Sequence, residues 1–257
     1  MTRRPAVPSR ILITGASSGL GAVLAVVYAA PGVSLVLGAR RLDRLESVAE
    51  DCRKRGAAVE IARIDVTDRE ETSAWVRAAD ESAPLDLLIA NAGISGGTGG
   101  GEEPEDQTRD IFAVNLAGVL NTVQPVLSTM RTRGRGQIAL MASIAGFRGF
   151  PGAPAYCASK AAVKVWGEGL RGWLAADGVR VSVICPGYVR TPMTDANRFP
   201  MPFLMDADRA ADIIRRGLAR NKGRIAFPWP MAFAGWLAGA LPDALVDRLT
   251  RGFPRKS

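Results

Sequence analysis

The chain has 257 residues, 47% of them hydrophobic, which is enough apolar material for a sizeable core and excludes intrinsic disorder. Its net charge is +8 and it contains no histidine. The side chain that most often transfers protons near pH 7 is therefore absent, and another group must do any acid–base work. The three cysteines, Cys52, Cys157 and Cys185, lack metal-ligand spacing, so we expect no metal site and reduced thiols in the cytoplasm.

The positive charge is spread along the chain rather than concentrated. Basic groups at 3–4, 40–41, 53–55 and 131–135 fall at expected helix ends and loops, where exposure to solvent is ordinary. No nucleic-acid-binding motif accompanies them, so we predict no nucleic-acid partner. The first ten residues carry charge without a following apolar segment and cleavage site, which argues against secretion.

Strands and helices alternate in the predicted order. Apolar runs predict strands at 11–13, 34–37, 59–64, 85–90, 137–142, 180–184 and 224–227. Helical patterns cover 20–30, 42–54, 69–81, 110–130, 156–176 and 206–221. Continuous apolar strands between helices are typical of a parallel sheet covered on both faces. We therefore predict one α/β domain over 1–257, a doubly wound Rossmann-type parallel sheet of about seven strands.

A glycine-rich turn follows the first predicted strand and opens the first helix. Glycines permit a tight turn and let the backbone approach a pyrophosphate, whose charge suits a helix N-terminus. The spacing Gly-x-x-x-Gly-x-Gly differs from the commoner Gly-x-Gly-x-x-Gly fingerprint, and such a turn can be purely structural. Its position between strand and helix favours phosphate binding by Gly15, Ser17, Ser18, Gly19, Leu20 and Gly21.

The second strand ends in Gly38-Ala39-Arg40-Arg41, where a carboxylate would bind a ribose 2′-hydroxyl. Two guanidinium groups instead match the geometry and charge of a 2′-phosphate. The sequence thus predicts NADP(H) in preference to NAD(H), with Arg40 the better choice. The alternative is that both arginines only cap the turn.

Three reactive side chains lie within one short stretch. Ser143 stands thirteen residues before Tyr156, and Lys160 follows Tyr156 by four, so the last two share a helix face. An ammonium beside a phenol is expected to lower the phenol pKa from about 10. Such a phenol can act as a general acid or base, while Ser143 can hydrogen-bond a nearby oxygen.

The motifs of residues 10–193, and their order along the chain, resemble those of the short-chain dehydrogenase/reductase family. The resemblance rests on Gly15 to Gly21, Asp65-Val66, Asn91-Ala92-Gly93, Asn115, Ser143, Tyr156 with Lys160, and Pro186-Gly187 followed by Thr191. It implies that Tyr156 is the acid in carbonyl reduction and the base in alcohol oxidation. Lys160 would tune Tyr156 and hold the nicotinamide ribose, and Ser143 would stabilise the substrate oxygen.

The resemblance assigns further residues to the cofactor and to proton transfer. Asn115 would anchor a water that links Lys160 to solvent; otherwise it is an amide that bends a helix. Asp65 and Val66 would lie by the adenine, although Asp65 can equally cap a helix N-terminus. The remaining cofactor contacts would come from Asn91, Ala92, Gly93, Pro186, Gly187, Val189 and Thr191.

The predicted function is hydride transfer between NADP(H) and a small-molecule carbonyl or secondary alcohol. The alternatives are a non-catalytic nucleotide sensor and a membrane-surface protein on the same fold. An intact set of Ser143, Tyr156 and Lys160 argues against the sensor, which has no need of a proton donor. The identity of the substrate does not follow from the motifs.

The C-terminal third carries the less regular segments. Residues 191–221 are predicted to form a substrate loop and helix, with 192–205 a lid or a packed loop. The glycine-rich stretch 95–101 is predicted to be a mobile surface loop. In the apolar extension 228–257, the run 229–241 is interrupted by Pro230 and is too short to span a bilayer. It is expected to form a homo-oligomer interface, as a dimer or tetramer, or a membrane-surface anchor helped by Arg248, Arg251, Arg255 and Lys256.

Overall fold

A computed structural model describes residues 8–99, 101–195, 197 and 199–250. Its centre is a parallel sheet of seven strands in the order β3-β2-β1-β4-β5-β6-β7. The strands are β1 Arg10–Thr14, β2 Ser34–Ala39, β3 Ala58–Arg63, β4 Leu87–Ala90, β5 Gly136–Met141, β6 Val179–Pro186 and β7 Arg224–Phe227. All seven predicted strands and the doubly wound α/β class are confirmed.

Helices connect the strands. They are α1 Gly19–Tyr28, α2 Leu42–Lys54, α3 Arg69–Ser82, α4 Glu105–Phe112, α5 Gly118–Thr132, α6 Pro154–Leu174, α7 Pro192–Asp195, α8 Ala207–Ala219, α9 Trp229–Ala240 and α10 Asp243–Thr250. The predicted single domain over 1–257 stays a prediction. Residues 1–7 and 251–257, which include Arg251, Arg255 and Lys256, lie outside the described residues.

Alternate residues of each strand enter two separate cores. On β1, Ile11 and Ile13 pack with residues of α1 and α8, whereas Leu12 packs with residues of α3, α5 and α6 on the other face. Successive side chains of a strand point to opposite faces, so a strand covered on both sides must be apolar throughout. This explains why the strands read as continuous apolar runs.

The sheet topology fixes where a ligand can bind. The chain winds outward from β1 to β3, then returns to place β4 on the other side of β1. Connections leave in opposite directions at this point, and open a crevice outside the carboxyl ends of the strands. Thr14, Ala90, Met141 and Pro186 end four central strands at this edge.

The helix expected at 110–130 begins earlier and is not α-helical throughout. It starts at Glu105, and a π-helical segment, Ala113–Ala117, separates α4 from α5. By length and composition alone the run Glu105–Thr132 could cross a membrane. Its apolar residues Val119, Val123 and Val126 instead belong to one of the two cores, as in the core helix of a globular domain.

Two expectations about loops are wrong. Gly96 and Gly97 are buried, so 95–101 is not a surface loop along its length, and the Gly97 carbonyl accepts a hydrogen bond from Gln107. Pro230 does not interrupt the apolar run 229–241. It lies in the first turn of α9, where its missing N–H costs no hydrogen bond.

Candidate active site

A cavity of about 1010 Å³ opens at the carboxyl edge of the sheet. Segments that follow β1 to β6 line it, together with residues of α9 and α10. Every residue that the sequence predicted for cofactor binding or catalysis lies in this lining, apart from Gly21 and Asn115. Motifs far apart in the sequence are thus brought together around one space.

The glycine-rich turn has the geometry of an anion-binding loop. Gly15 and Gly19 have positive φ angles of 67° and 57°, which favour glycine. Ser18 precedes α1, but its side chain makes no capping hydrogen bond. It therefore leaves the first backbone N–H groups of that helix uncapped at the cavity. Free amides and the helix dipole together suit a phosphate. The residues present therefore fit a dinucleotide that carries a pyrophosphate.

Asn91, at the end of β4, holds this loop in place. Its Nδ2 donates to the carbonyl of Thr14 at 2.9 Å and to that of Gly15 at 3.3 Å. A Cβ added to Gly21 would lie 2.4 Å from Asn91 Nδ2 and 2.4 Å from the Gly15 oxygen. Gly21 thus serves close packing behind the loop, and its expected contact with the cofactor stays a prediction.

Two arginines lie on the cavity wall just after β2. Arg41 donates from a guanidinium nitrogen to Ser18 Oγ at 2.9 Å, which links it to the phosphate loop, while Arg40 is exposed beside it. The pKa of Asp65 is lowered: burial raises it, but hydrogen bonds from Thr67 and the charge of Arg40 outweigh that effect. Both arginines therefore lie at the end of the cavity that Ser18 and Asp65 also line.

Asp65 is not the helix cap that was the alternative to its cofactor role. Its carboxylate accepts from the Thr67 backbone N–H at 3.0 Å and from the Thr67 hydroxyl at 2.8 Å, within a local turn. The cap of α3 is Asp68, whose side chain accepts from Glu71 N–H at 2.9 Å. Asp65 and Val66 both line the cavity, in agreement with their predicted position.

Ser143, Tyr156 and Lys160 meet at the centre of the cavity. Ser143 follows β5, and its Oγ donates to the Pro186 carbonyl at 3.4 Å and accepts from Ala145 N–H at 3.1 Å. Tyr156 lies in the first turn of α6. Lys160 Nζ lies 5.7 Å from the centroid of the Tyr156 ring and donates to the Met141 carbonyl at 3.0 Å.

Burial dominates the ionisation of this cluster. It raises the pKa of Tyr156 to about 12, against a hydrogen bond with Ser143 that lowers it. It also lowers the pKa of Lys160 to about 8. The direction at Tyr156 is opposite to the one expected from the sequence, because removing the phenolate from water outweighs the hydrogen bond with Ser143. The Tyr156 hydroxyl thus keeps its proton at pH 7.

Asn115 lies in the π-helical segment and is fully buried. Its Oδ1 accepts from Ile94 N–H at 2.8 Å, and its Nδ2 donates to the Ile94 carbonyl at 3.0 Å and to Ser159 Oγ at 3.1 Å. The amide thus ties the chain after β4 to α6. Gly93 separates it from Lys160, since a Cβ there would lie 3.2 Å from Asn115 Oδ1 and 3.3 Å from Lys160 Nζ.

Backbone contacts shape the end of the cavity after β6. Gly187 N–H donates to the Phe227 carbonyl at 2.7 Å, and Thr191 N–H donates to Thr194 Oγ1 at 2.9 Å. Val189 forms an isolated bridge with Met205, which closes the segment 190–204 into a loop. Pro186, Gly187, Val189 and Thr191 all line the cavity, where the family resemblance expects them.

The loop after β4 is fastened to the start of α6. Thr98 N–H donates to the Gly152 carbonyl at 3.1 Å, and Glu103 Oε2 accepts from Ala155 N–H at 3.0 Å. The Glu103 carboxylate therefore caps the helix that carries Tyr156 and complements its dipole. The sequence did not predict this contact, because Glu103 lies about fifty residues before the helix that it caps.

The C-terminal segments line the cavity, among them described residues of 192–205, which was predicted to be a lid or a packed loop. Met193, Phe199 and Phe203 of that segment are lining residues. So are Met231, Ala234, Gly235, Ala238 and Leu241 of the run 229–241, which was expected to form an interface or a membrane-surface anchor. The apolar composition predicted burial, but not a place in the wall of the cavity.

The opposite side of α9 faces outward. Trp229, Phe233 and Trp236 are 75%, 53% and 53% exposed. An exposed aromatic stripe of this kind leaves both alternatives open, a subunit interface or a membrane-surface contact.

Comparison with known proteins identifies close relatives of this architecture. Residues 9–200 match the family model described as short chain dehydrogenase. An uncharacterized oxidoreductase of Myxococcus xanthus is 40% identical over 241 residues, 93% of this chain and 95% of that protein.

Solved structures agree with this match. A short-chain dehydrogenase from Sphingobium yanoikuyae in complex with NADPH has a TM-score of 0.80 and 29% identity, covering 96% of this chain and 97% of its own. An actinorhodin polyketide ketoreductase with NADPH has a TM-score of 0.78 and 27% identity, covering 87% and 97%.

Proposed function

Since this chain belongs to the short chain dehydrogenase family and is an oxidoreductase of that type, we propose that it transfers hydride between NADP(H) and a carbonyl or secondary alcohol. The observation that carries the proposal is the meeting of Ser143, Tyr156 and Lys160 beside a phosphate-type loop in one cavity. A bound NADPH would supply the hydride, and the protein supplies orientation, a proton and a place for the developing oxyanion.

Tyr156 is the proposed proton donor in reduction. With a pKa raised to about 12, its hydroxyl keeps its proton at pH 7 and can give it to a carbonyl oxygen. Ser143 hydrogen-bonds the same oxygen and stabilises the negative charge that develops on it. The reverse reaction needs the phenolate, so the rate of alcohol oxidation is expected to rise with pH while reduction stays favoured near neutrality.

Lys160 is proposed to hold the ribose and to replenish the proton. A pKa lowered to about 8 lets it exchange a proton near neutral pH, which an exposed lysine does not do. Asn115 is proposed as a positioning residue, because both polar atoms of its amide are engaged with Ile94 and Ser159. We propose that the predicted role of Asn115 in anchoring a water belongs to its backbone groups, since the polar atoms of its side chain are engaged.

Replacing Tyr156 by phenylalanine tests the chemistry. The ring stays, the proton is lost, and kcat is expected to fall by about 100-fold or more. Tyr188→Phe is the matched control, since Tyr188 also lines the cavity but has no assigned proton transfer. Near wild-type turnover by the Tyr156→Phe variant, with folding and cofactor binding intact, would refute the assignment.

The preference for NADP(H) rests on the two arginines after β2. Arg40 and Arg41 both line the cavity, and no carboxylate stands beside them in the segment 38–41. Their guanidinium groups suit a 2′-phosphate. We expect kcat/KM to be at least about tenfold higher with NADPH than with NADH. The preference should shrink in Arg40→Ala and Arg41→Ala but persist in Arg44→Ala, a control outside the lining.

Two further assignments are part of this proposal. We propose a homo-oligomer in the cytoplasm, with the outer stripe of α9 as the surface to examine by sedimentation of the purified protein. A protein that pellets with vesicles rather than sedimenting as an oligomer would favour the peripheral membrane contact instead.

A further inference from the structure

The charged side chains of the cavity lie at two places only, among the described residues. Arg40, Arg41 and Asp65 occupy the adenosine end, beyond β2 and β3. Lys160 lies beside Tyr156 and is engaged with the Met141 carbonyl. From Tyr156 outward, towards α7 and α9, the described lining contains no charged side chain. An ionised group of a substrate buried there would lack a partner of opposite charge among the described residues.

The wall beside Ser143 is built by α9. Met231 lies against the turn after β6, since a Cβ on Gly187 would be 3.0 Å from its Sδ. Gly235 packs on Ile144, the residue after Ser143, because a Cβ at Gly235 would lie 3.1 Å from Ile144 Cγ2. The face of α9 that lines the cavity therefore packs beside the residue next to Ser143 and continues along the helix away from it.

Small side chains leave room along this wall. Ala234 and Ala238 are four residues apart, so they share one face of α9, and both line the cavity. Phe199, Phe203 and Met193 of the loop after β6 line the same cavity, as does Phe150. Small residues together with aromatic or flexible apolar residues form an apolar slot that fits a hydrocarbon body.

We propose that the substrate is a neutral carbonyl compound with an extended apolar body, which lies along α9 over Ala234 and Ala238. This inference deepens the proposed function and rests on it, because it assumes a carbonyl held at Tyr156 and Ser143. The lining supports this proposal, because burying hydrocarbon against apolar surface is favourable and burying a charge without a partner is costly. Ala234 and Ala238 are then the residues that determine the length of substrate accepted.

The first test compares methyl ketones under NADPH. From 2-pentanone to 2-decanone, kcat/KM is expected to rise by up to about fourfold for each added methylene, until the slot is full. Methyl 9-oxodecanoate, a neutral ester, should be reduced, whereas kcat/KM for the 9-oxodecanoate anion should be lower by at least about 100-fold. Equal kcat/KM across chain lengths, or equal reduction of acid and ester, would overturn the inference.

The second test blocks the slot. Ala238→Phe is expected to lower kcat/KM for 2-decanone at least about tenfold and to change that for 2-pentanone by less than about threefold. Ala240→Phe is the matched control, since Ala240 is exposed on the same helix and lies outside the lining. Ala234→Phe, a second blocking variant, covers a failure of Ala238→Phe to fold. Equal loss for both ketones in a folded variant would count against the slot.

A binding measurement separates this inference from the proposed reaction. The alcohol 2-decanol should raise the unfolding temperature of the wild-type protein and of Ala240→Phe, but not that of Ala238→Phe. If 2-decanol stabilises the protein in this pattern while no ketone is reduced, the slot stands and the proposed function fails. If ketones are reduced without length dependence and 2-decanol gives no shift, the function stands and the slot is wrong.

Discussion

Replacing Lys160 by methionine should make the protein more stable at neutral pH. The residue is 4% exposed, and burial lowers its pKa from 10.5 to about 8. At about 1.4 kcal/mol for each pKa unit, that drop corresponds to about 3 kcal/mol of unfavourable free energy in the folded protein. Methionine keeps a long apolar stem and removes the charge, but loses the hydrogen bond to the Met141 carbonyl, about 1 kcal/mol. The net gain at pH 7 is about 2 kcal/mol.

The ionisation of the Lys160 amine determines how the stability of the wild-type protein changes with pH. Below pH 8 the amine is protonated in both the folded and unfolded chain, and the folded protein bears the whole unfavourable free energy of burying the ammonium group. Between pH 8 and 10.5 only the unfolded chain binds the proton, so wild-type stability rises with pH relative to the variant. Above that window both states are neutral and the cost has gone.

Urea unfolding at pH 7 and at pH 10.5 measures the effect. The difference in free energy of unfolding between Lys160→Met and wild type should fall by about 3 kcal/mol between the two conditions. Lys54→Met is the control, because the Lys54 side chain is 72% exposed and its difference should not change between them. If the Lys160→Met difference is the same at both pH values, burial does not depress the pKa of this amine.

Two further substitutions probe the surroundings of the catalytic cluster. Glu103→Ala removes the carboxylate that accepts from Ala155 N–H and should lower the free energy of unfolding by about 1 kcal/mol in urea titrations. Gly93→Ala inserts a Cβ 3.2 Å from Asn115 Oδ1 and 3.3 Å from Lys160 Nζ. It should lower kcat about tenfold in steady-state assays by displacing the amine.

Each of these variants has a control of the same type. Glu105→Ala removes a neighbouring glutamate that pairs with the exposed Arg109 on the same helix, so it should leave stability within about 0.5 kcal/mol. Gly172→Ala adds a Cβ on α6 with nothing within 4 Å, so kcat should be unchanged. An effect of Glu105→Ala equal to that of Glu103→Ala, or unchanged kcat in Gly93→Ala, would contradict the roles assigned to Glu103 and Gly93.

The sheet and most of the cavity lining could be predicted because their causes are local. A strand buried on both faces must be apolar at every position, so Ile11, Leu12 and Ile13 indicate β1 directly. The carboxyl ends of parallel strands meet at one edge, and this rule alone places Asn91 and Ser143 near the glycine-rich turn.

The parts that were missed depend on which way an element faces. The run 229–241 is apolar on all sides of α9, so its pattern contains no polar face to show that Ala234 points into the cavity and Trp236 away from it. Similarly, Asp65 and Asp68 both precede α3 at plausible cap positions, and only the chain geometry gives the cap to Asp68.

The ionisation of Tyr156 could not be derived from spacing. A separation of four residues does place Tyr156 and Lys160 on one helix face, yet spacing says nothing about the water excluded around them. Burial acts on both groups and raises one pKa while it lowers the other. The balance between solvent exclusion and charge is a property of the whole cavity.

The π-helical segment between α4 and α5 makes the active site sensitive to chain length. A π turn holds one residue more than an α-helical turn, and Asn115 reaches Ile94 and Ser159 from within it. Deleting any one of the other residues of 113–117 would keep Asn115 and every catalytic side chain but rotate one half of the helix against the other by about 100°. A relative with every motif intact and one residue fewer at this point would therefore have to build its proton-transfer site differently.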